Sequence, residues 1–233
     1  MIRKDSDLSQ DGLLGGKHSG FGVPRLTCAL ILAGLVLAGC GNPTQAPAQE
    51  LVDVHATSAA WPWLAKVYDC APGRGAIIRI SAPEDADVRL RVGEPEFLAS
   101  PAFQIDTEDV LVVVHAASPF RSLSQEEARL LFAGQGDPSI PVWVFSAGED
   151  IQQIFDAIVM SGGNVTARAR VAGNTKDMSD AINADQAAVG ILPRHSNTAD
   201  LREVLVVASA PVLAITATQP VGVLRDLLAC LQK

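Results

Sequence analysis

The chain has 233 residues, 18 Lys/Arg against 26 Asp/Glu for a net charge of −8, and 48% hydrophobic residues. That length suits one large domain or two small ones, and so apolar a composition excludes disorder throughout. With acid in excess and no Lys/Arg block after residue 39, neither nucleic acid nor electrostatic attraction to a membrane is expected.

The first element is the apolar run "LTCALILAGLVLAGC" (Leu26–Cys40) after Arg25. It is shorter than the ~20 residues of a membrane-spanning helix and reads as a signal peptide. It ends in Leu37-Ala38-Gly39-Cys40, which resembles the bacterial lipobox, where small residues precede a cysteine that receives lipid and becomes the mature N-terminus. Cys40 is therefore an expected lipidation site, and residues 1–39 an expected leader. The segment before Arg25 is long and partly acidic for such a leader, as a misplaced start codon would leave it. Next comes "GNPTQAPAQE", Pro- and Gln-rich with nothing to bury, so residues 40–50 read as a tether. Residues 1–39 hold four Lys/Arg and three Asp/Glu, leaving 14 basic and 23 acidic residues and a net charge of −9.

From Leu51 strand and helix signals alternate, the pattern of an α/β domain. "LVDVHA" reads as a strand, and "TSAAWPWLAKVYDCA" as a helix capped by Thr57 or Ser58 with Pro62 in its first turn. "GAIIRIS" and "ADVRLRVG" are strands, followed by the loop "GEPEFLASPAF". "DVLVVVHAAS" is nearly continuously apolar, as expected of a strand buried on both faces. "SLSQEEARLLFAGQG" is a helix with Ser124 and Glu127 in capping-box register and Gly134 as its stop. "PVWVFS" reads as a strand, "GEDIQQIFDAIVMSGG" as a helix, and "TKDMSDAINADQ" as a helix capped by Thr175. "AAVGILPRH", "EVLVVAS" and "VLAITA" are strands, and "PVGVLRDLLACLQ" is the closing amphipathic helix.

Cys28 falls in the leader and Cys40 would be acylated, which leaves Cys70 at the end of the first helix and Cys230 in the last. Export permits a bridge that staples the two ends of the domain; two buried thiols are the alternative, since spacing alone does not bring Cα atoms within ~7 Å.

"VLVVVHAASPFRSLSQEEARLLFAGQ" and "DMSDAINADQAAVGILP" resemble the phosphate-type solute-binding proteins of bacterial ABC importers. The first is similar to that family's crossing strand and its Leu-Thr-x-x-x-Leu-x-x-Ile-Phe-x-Gly helix, with Leu123, Ser124, Leu131, Phe132 and Gly134 in those places. The second is similar to its helix and Ala-Ile-Gly-Tyr strand, through Ala188, Val189, Gly190 and Ile191. The likeness covers Asp53 to Leu231. It implies a two-lobed periplasmic-binding-protein-like α/β fold with mixed sheets flanked by helices. Residues 51–111 and 203–233 would form one lobe and 112–202 the other, with two strands crossing between them. It also implies a monomer that captures a small molecule or anion for an ABC permease, without cofactor or metal and without catalysis.

The family holds its oxyanion by a Thr- or Ser-rich turn after the first strand, here Thr57 and Ser58. A carboxylate corresponds to Glu94, and a turn at the second lobe's helix start to Ser146 and Gly148, with Thr175 as a further candidate. Where the family has Gly-Ser-Gly after the second strand, this chain has "SAPEDAD", with three acids. Where it has Arg and Ser-Gly-Thr, this chain has "VFSAGED". Ser146 and Glu149 fit a capping box there, so the helix would satisfy its own donors while its acids repel a dianion. A scaffold with a degenerate ligand site, acting as a sensor or interaction domain, is the alternative to transport.

Other chemistry is poorly supported. "VFSAG" lacks the first glycine of a nucleophile elbow, and His55, His115 and His195 have no metal or catalytic spacing. Trp61 and Leu64 at i, i+3 suggest a buried face, although aromatics at a cleft rim also stack on ligands. Arg168, Arg170 and Lys176 are expected on a solvated helix face rather than at a site.

Overall fold

The computed structural model describes residues 49–233. The expected leader, Cys40 and all but the end of the tether lie outside the described residues.

The core of the fold is one mixed six-stranded sheet in the order β2-β1-β3-β8-β4-β7. These strands are β1 (Glu50–Ala56), β2 (Ala76–Ile80), β3 (Val88–Val92), β4 (Ala102–His115), β7 (Val189–Pro193) and β8 (Leu201–Thr216). Period-two alternation sets β1 and β3: Val52, Val54 and Ala56 of β1 and Val88, Leu90 and Val92 of β3 are buried. They share a core with Leu64 and Val67 of α1 (Leu64–Cys70) and Leu227, Leu228 and Leu231 of α5 (Gly222–Leu231). Cys70 and Cys230 are joined by a disulfide, with Cα atoms 6.0 Å apart, so α1 and α5 are tied together.

Two long strands carry the chain from one half to the other. The first part of β4 pairs with the last part of β8, which also pairs with β3 from Val212 to Thr216. Beyond that, Val110–Val114 of β4 pair with β7 on one side and with the first part of β8 on the other. All five of these residues are fully buried, as a strand covered on both faces requires. The outer neighbours thus change near Val110 and Ala210. The bounds expected at residues 111–112 and 202–203 both lie within these two crossing strands. The two strands read as "EVLVVAS" and "VLAITA" are a single strand, because Pro211 stands just past the end of β3. There its carbonyl still accepts from the Gly93 N–H (2.7 Å) and its missing donor interrupts no β3 pairing.

The second half adds β5 (Trp143–Val144) and β6 (Arg170–Val171), a short parallel pair joined to β7 by a bridge from Val142 to Val189. Arg170 therefore begins a strand and does not lie on a helix. Around these strands pack α2 (Gln125–Phe132), α3 (Asp150–Phe155, continuing as a π-turn through Met160) and α4 (Thr175–Ala184). α2 opens on the Ser124–Glu127 capping box and stops before Gly134 at φ +75°. α4 is capped by Asn174, whose Oδ1 accepts from the Asp177 N–H (2.9 Å); Thr175 is the first helical residue and not the cap. Asparagine is the stronger N-cap, and its extended backbone fits the role.

Neither Thr57 nor Ser58 caps the first helix, which begins with a 3-10 turn over Trp61–Trp63, Pro62 within it, after Ala60. Trp61 is 56% exposed and does not form the expected buried face with Leu64. Trp63 is the packed member, half-buried, with its Nε1–H donating to Asp106 (2.9 Å).

Candidate functional site

Three pieces of chain meet where the two halves face each other. β1 ends at Ala56 and turns through Thr57 to Ala60, a turn closed by Ala60 N–H bonds to the carbonyl (3.0 Å) and Oγ1 (3.3 Å) of Thr57. β3 ends at Val92, where Gly93 at φ +76° redirects the chain. From the other half, a turn closed by Glu149 N–H on the Ser146 carbonyl (2.9 Å) leads into α3.

The capping box expected at Ser146 and Glu149 is not formed. Glu149 itself is the N-cap residue, without a side-chain cap bond, and Ser146 is exposed. The residues Ser146–Gly148 are spent on the turn, which moves the helix start three positions on. Asp150 becomes the first helical residue, and its side chain reaches across to the other half of the molecule.

Asp150 is only 2% exposed. Its Oδ2 accepts the Thr57 hydroxyl at 2.6 Å and the Val92 N–H at 2.8 Å, while Oδ1 accepts its own neighbour's N–H, that of Ile151, at 3.0 Å. A desolvated carboxylate persists only with such donors or a cation. The adjacent cation is Arg91. Burial pushes its guanidinium below the usual range, and the charge of Asp150 works against that shift. Arg91 Nη2 also donates to Gln153 Oε1 of α3 (3.0 Å). The Glu149 carboxyl is pushed up, first by burial and then by the negative charge of Asp150.

α3 is anchored from within its own half. Buried Gln152 accepts the Phe145 N–H through Oε1 (3.0 Å) and donates to Asp156 through Nε2 (2.8 Å). Burial raises the Asp156 carboxyl, and the Gln152 hydrogen bond partly offsets this.

Of the residues singled out by sequence, Thr57 touches the junction directly and Ser58 is half-buried in the same turn. Glu94 is exposed two residues beyond Val92, in a groove of about 920 Å³ that also takes in Arg91, Phe97, Gln153 and Ser209. Ser146 and Gly148 are exposed in the turn before α3; the Gly148 carbonyl accepts from Gln153 Nε2 (3.3 Å). Thr175 opens α4 and lines neither that groove nor the smaller hollow of about 240 Å³ around His55, Thr57 and Arg89. Asp150 is one of the two acids expected to repel a dianion at this helix start, but neither it nor Arg91 is among the residues expected to hold a ligand. That Asp150 rather than Glu149 turns inward has a sequence signal in its place at the border of the stripe Ile151, Phe155 and Val159. Among the described residues no group of three or more His, Cys, Asp or Glu is arranged to hold a metal ion.

No protein-family model matches the sequence, and no curated protein matches it. Solved structures do match. One is a protein assigned as a phosphate ABC transporter substrate-binding protein from Clostridium perfringens, with bound phosphate. It has a TM-score of 0.68 at 11% identity, covering 78% of this chain and 92% of that one. Another is an ABC-type phosphate transport receptor from Vibrio cholerae, with TM-score 0.63, 14% identity, and coverage of 78% and 93%. The fold is that of a two-lobed, periplasmic-binding-protein-like domain. The regulatory domain of Synechocystis PCC6803 CcmR in complex with 2-PG is similar too, with TM-score 0.60, 11% identity, and coverage of 79% and 96%. At such identities the likeness establishes the fold, which serves receptors and regulators alike.

Proposed function

We propose that this chain is an extracytoplasmic binding-protein-like domain, exported by its N-terminal leader and held at the outer face of a bacterial membrane by lipid on Cys40. In this reading the anion position between the lobes belongs to the chain's own Asp150. The domain works as a monomeric sensor or interaction module, makes and breaks no bonds, and does not deliver free phosphate to a permease. The observation that supports this most is the Asp150 carboxylate, buried between the halves and accepting from Thr57 and Val92. A phosphate ion entering there would have to displace it in the presence of Glu149.

A second reading is an importer receptor for another small solute, supported by the groove of about 920 Å³ beside Arg91 and Phe97. Thermal-shift measurements and calorimetry on the wild-type protein separate the two. A ligand that binds the folded state alone raises its stability by about 2.7 kcal/mol at a hundredfold excess over its dissociation constant. The expected result is no response to phosphate, sulfate or molybdate; a saturable one-to-one response to phosphate overturns the proposal. A response confined to an amino acid or sugar favours the importer reading.

A further inference from the structure

We infer that the Asp150 carboxylate is an internal ligand, a tethered anion filling an oxyanion cradle that the first lobe builds from the Thr57 hydroxyl, the Val92 amide and the Arg91 charge. This rests on the reading of the cleft given above and extends it to the ligand class: the emptied cradle binds a small monoanion, such as formate or dihydrogen phosphate.

The donors come from two separate elements of the first lobe, the turn after β1 and the end of β3, yet they converge on one oxygen. Thr57 and Val92 reach Asp150 Oδ2 across 93 and 58 residues of sequence. Their distances of 2.6 and 2.8 Å are those of charge-assisted hydrogen bonds. With the carboxylate removed, the hydroxyl and the buried amide would lose their acceptor, and a free anion of the same chemistry restores it. The covalent tether explains why the wild-type cleft stays closed to such anions. An intramolecular carboxylate competes at a high effective concentration that a solute in solution must exceed. Charge selects the monoanion. Arg89 and Arg91, in the hollow at Thr57, attract an anion to the cradle. On the other side Glu149 lies next to Asp150 in sequence, and Glu94, Glu96 and Asp156 stand in the neighbouring groove with only Arg91 opposite in sign, so a second negative charge on the ion meets repulsion from that side.

Asp150→Ala tests this by chemical rescue. The variant is compared with wild type by circular dichroism and melting in sodium formate, sodium phosphate at mildly acid pH, and sodium chloride of matched ionic strength. Formate and phosphate are expected to raise the variant's melting temperature by about 5–10 °C at a hundredfold excess over the dissociation constant. Chloride, and any of the salts on wild type, should leave it unchanged. If the variant is recovered folded only from medium containing formate or phosphate, that is the same rescue read as yield. A folded variant that responds to all three salts alike, or one that folds with none of them, overturns the inference. Wild-type stabilisation by phosphate would instead overturn the proposed function, so the two failures are distinct.

Discussion

Thr57 and Val92 give their hydrogens to the same Asp150 oxygen, and the threonine's can be removed without changing the backbone. Thr57→Val keeps the shape and leaves the buried carboxylate one donor short. Such a loss costs about 1–3 kcal/mol, to be read as a lower urea midpoint, whereas Thr57→Ser should retain most of the stability. Glu149 gives a pH-dependent counterpart. Its folded-state carboxyl is pushed above the ordinary value by burial and by Asp150, so the ionised side chain opposes folding at neutral pH. That penalty fades as pH falls through the raised value and is gone below the unfolded one. Glu149→Gln should therefore melt higher than wild type at pH 7, with the difference closing near pH 4, and an equal gain at both pH values would contradict the assignment. Asp106 has the opposite sign. The Trp63 N–H first, then the Thr107 amide and Lys66, hold its carboxyl low, so its contribution is present at neutral pH and lost on strong acidification.

At the scale of elements, the parts legible in the sequence were those fixed by local chemistry. The Ser124–Glu127 box at α2 is closed by side chains three residues apart, and Ser124→Ala should cost about 1 kcal/mol of stability in denaturant titration. The apolar run Val110–Val114 announced a strand buried on both faces, and it is one. What local chemistry left open was decided by tertiary contacts. The start of α3 depended on how many residues its preceding turn consumed, and nothing local to "VFSAGED" states that number. Which of two adjacent acids turns inward follows from it, so the sequence shows two acids at this helix start but not that Asp150 is the one that accepts from Thr57. Likewise the pairing of Cys70 with Cys230 required the fold to bring helices 160 residues apart together. Replacing both cysteines by serine should lower stability by about 2–5 kcal/mol, and reductant should do the same to wild type but nothing to the double variant.

The whole molecule is organised around β4 and β8, which run through both halves and would form the hinge of any opening motion. The Asp150 contacts, the Arg91–Gln153 bond and the edge-on contact of Trp63 with His195 all join residues from opposite sides of that crossing. A clamshell held in this way should keep the same radius of gyration in X-ray scattering whether or not phosphate is added. At the level of the cell, Cys40→Ser should shift the protein from the membrane fraction to the soluble extracytoplasmic fraction and abolish labelling by a fatty-acid analogue, and unchanged membrane retention would contradict lipid anchoring. The most direct measurement is a crystal structure of the wild-type protein grown from concentrated sodium phosphate. The expected density shows Asp150 Oδ2 still accepting from Thr57 Oγ1 and Val92 N, with no ion between them. A phosphate bound to those two groups, with the Asp150 side chain turned out to solvent, would contradict the claim that the chain fills its own cleft.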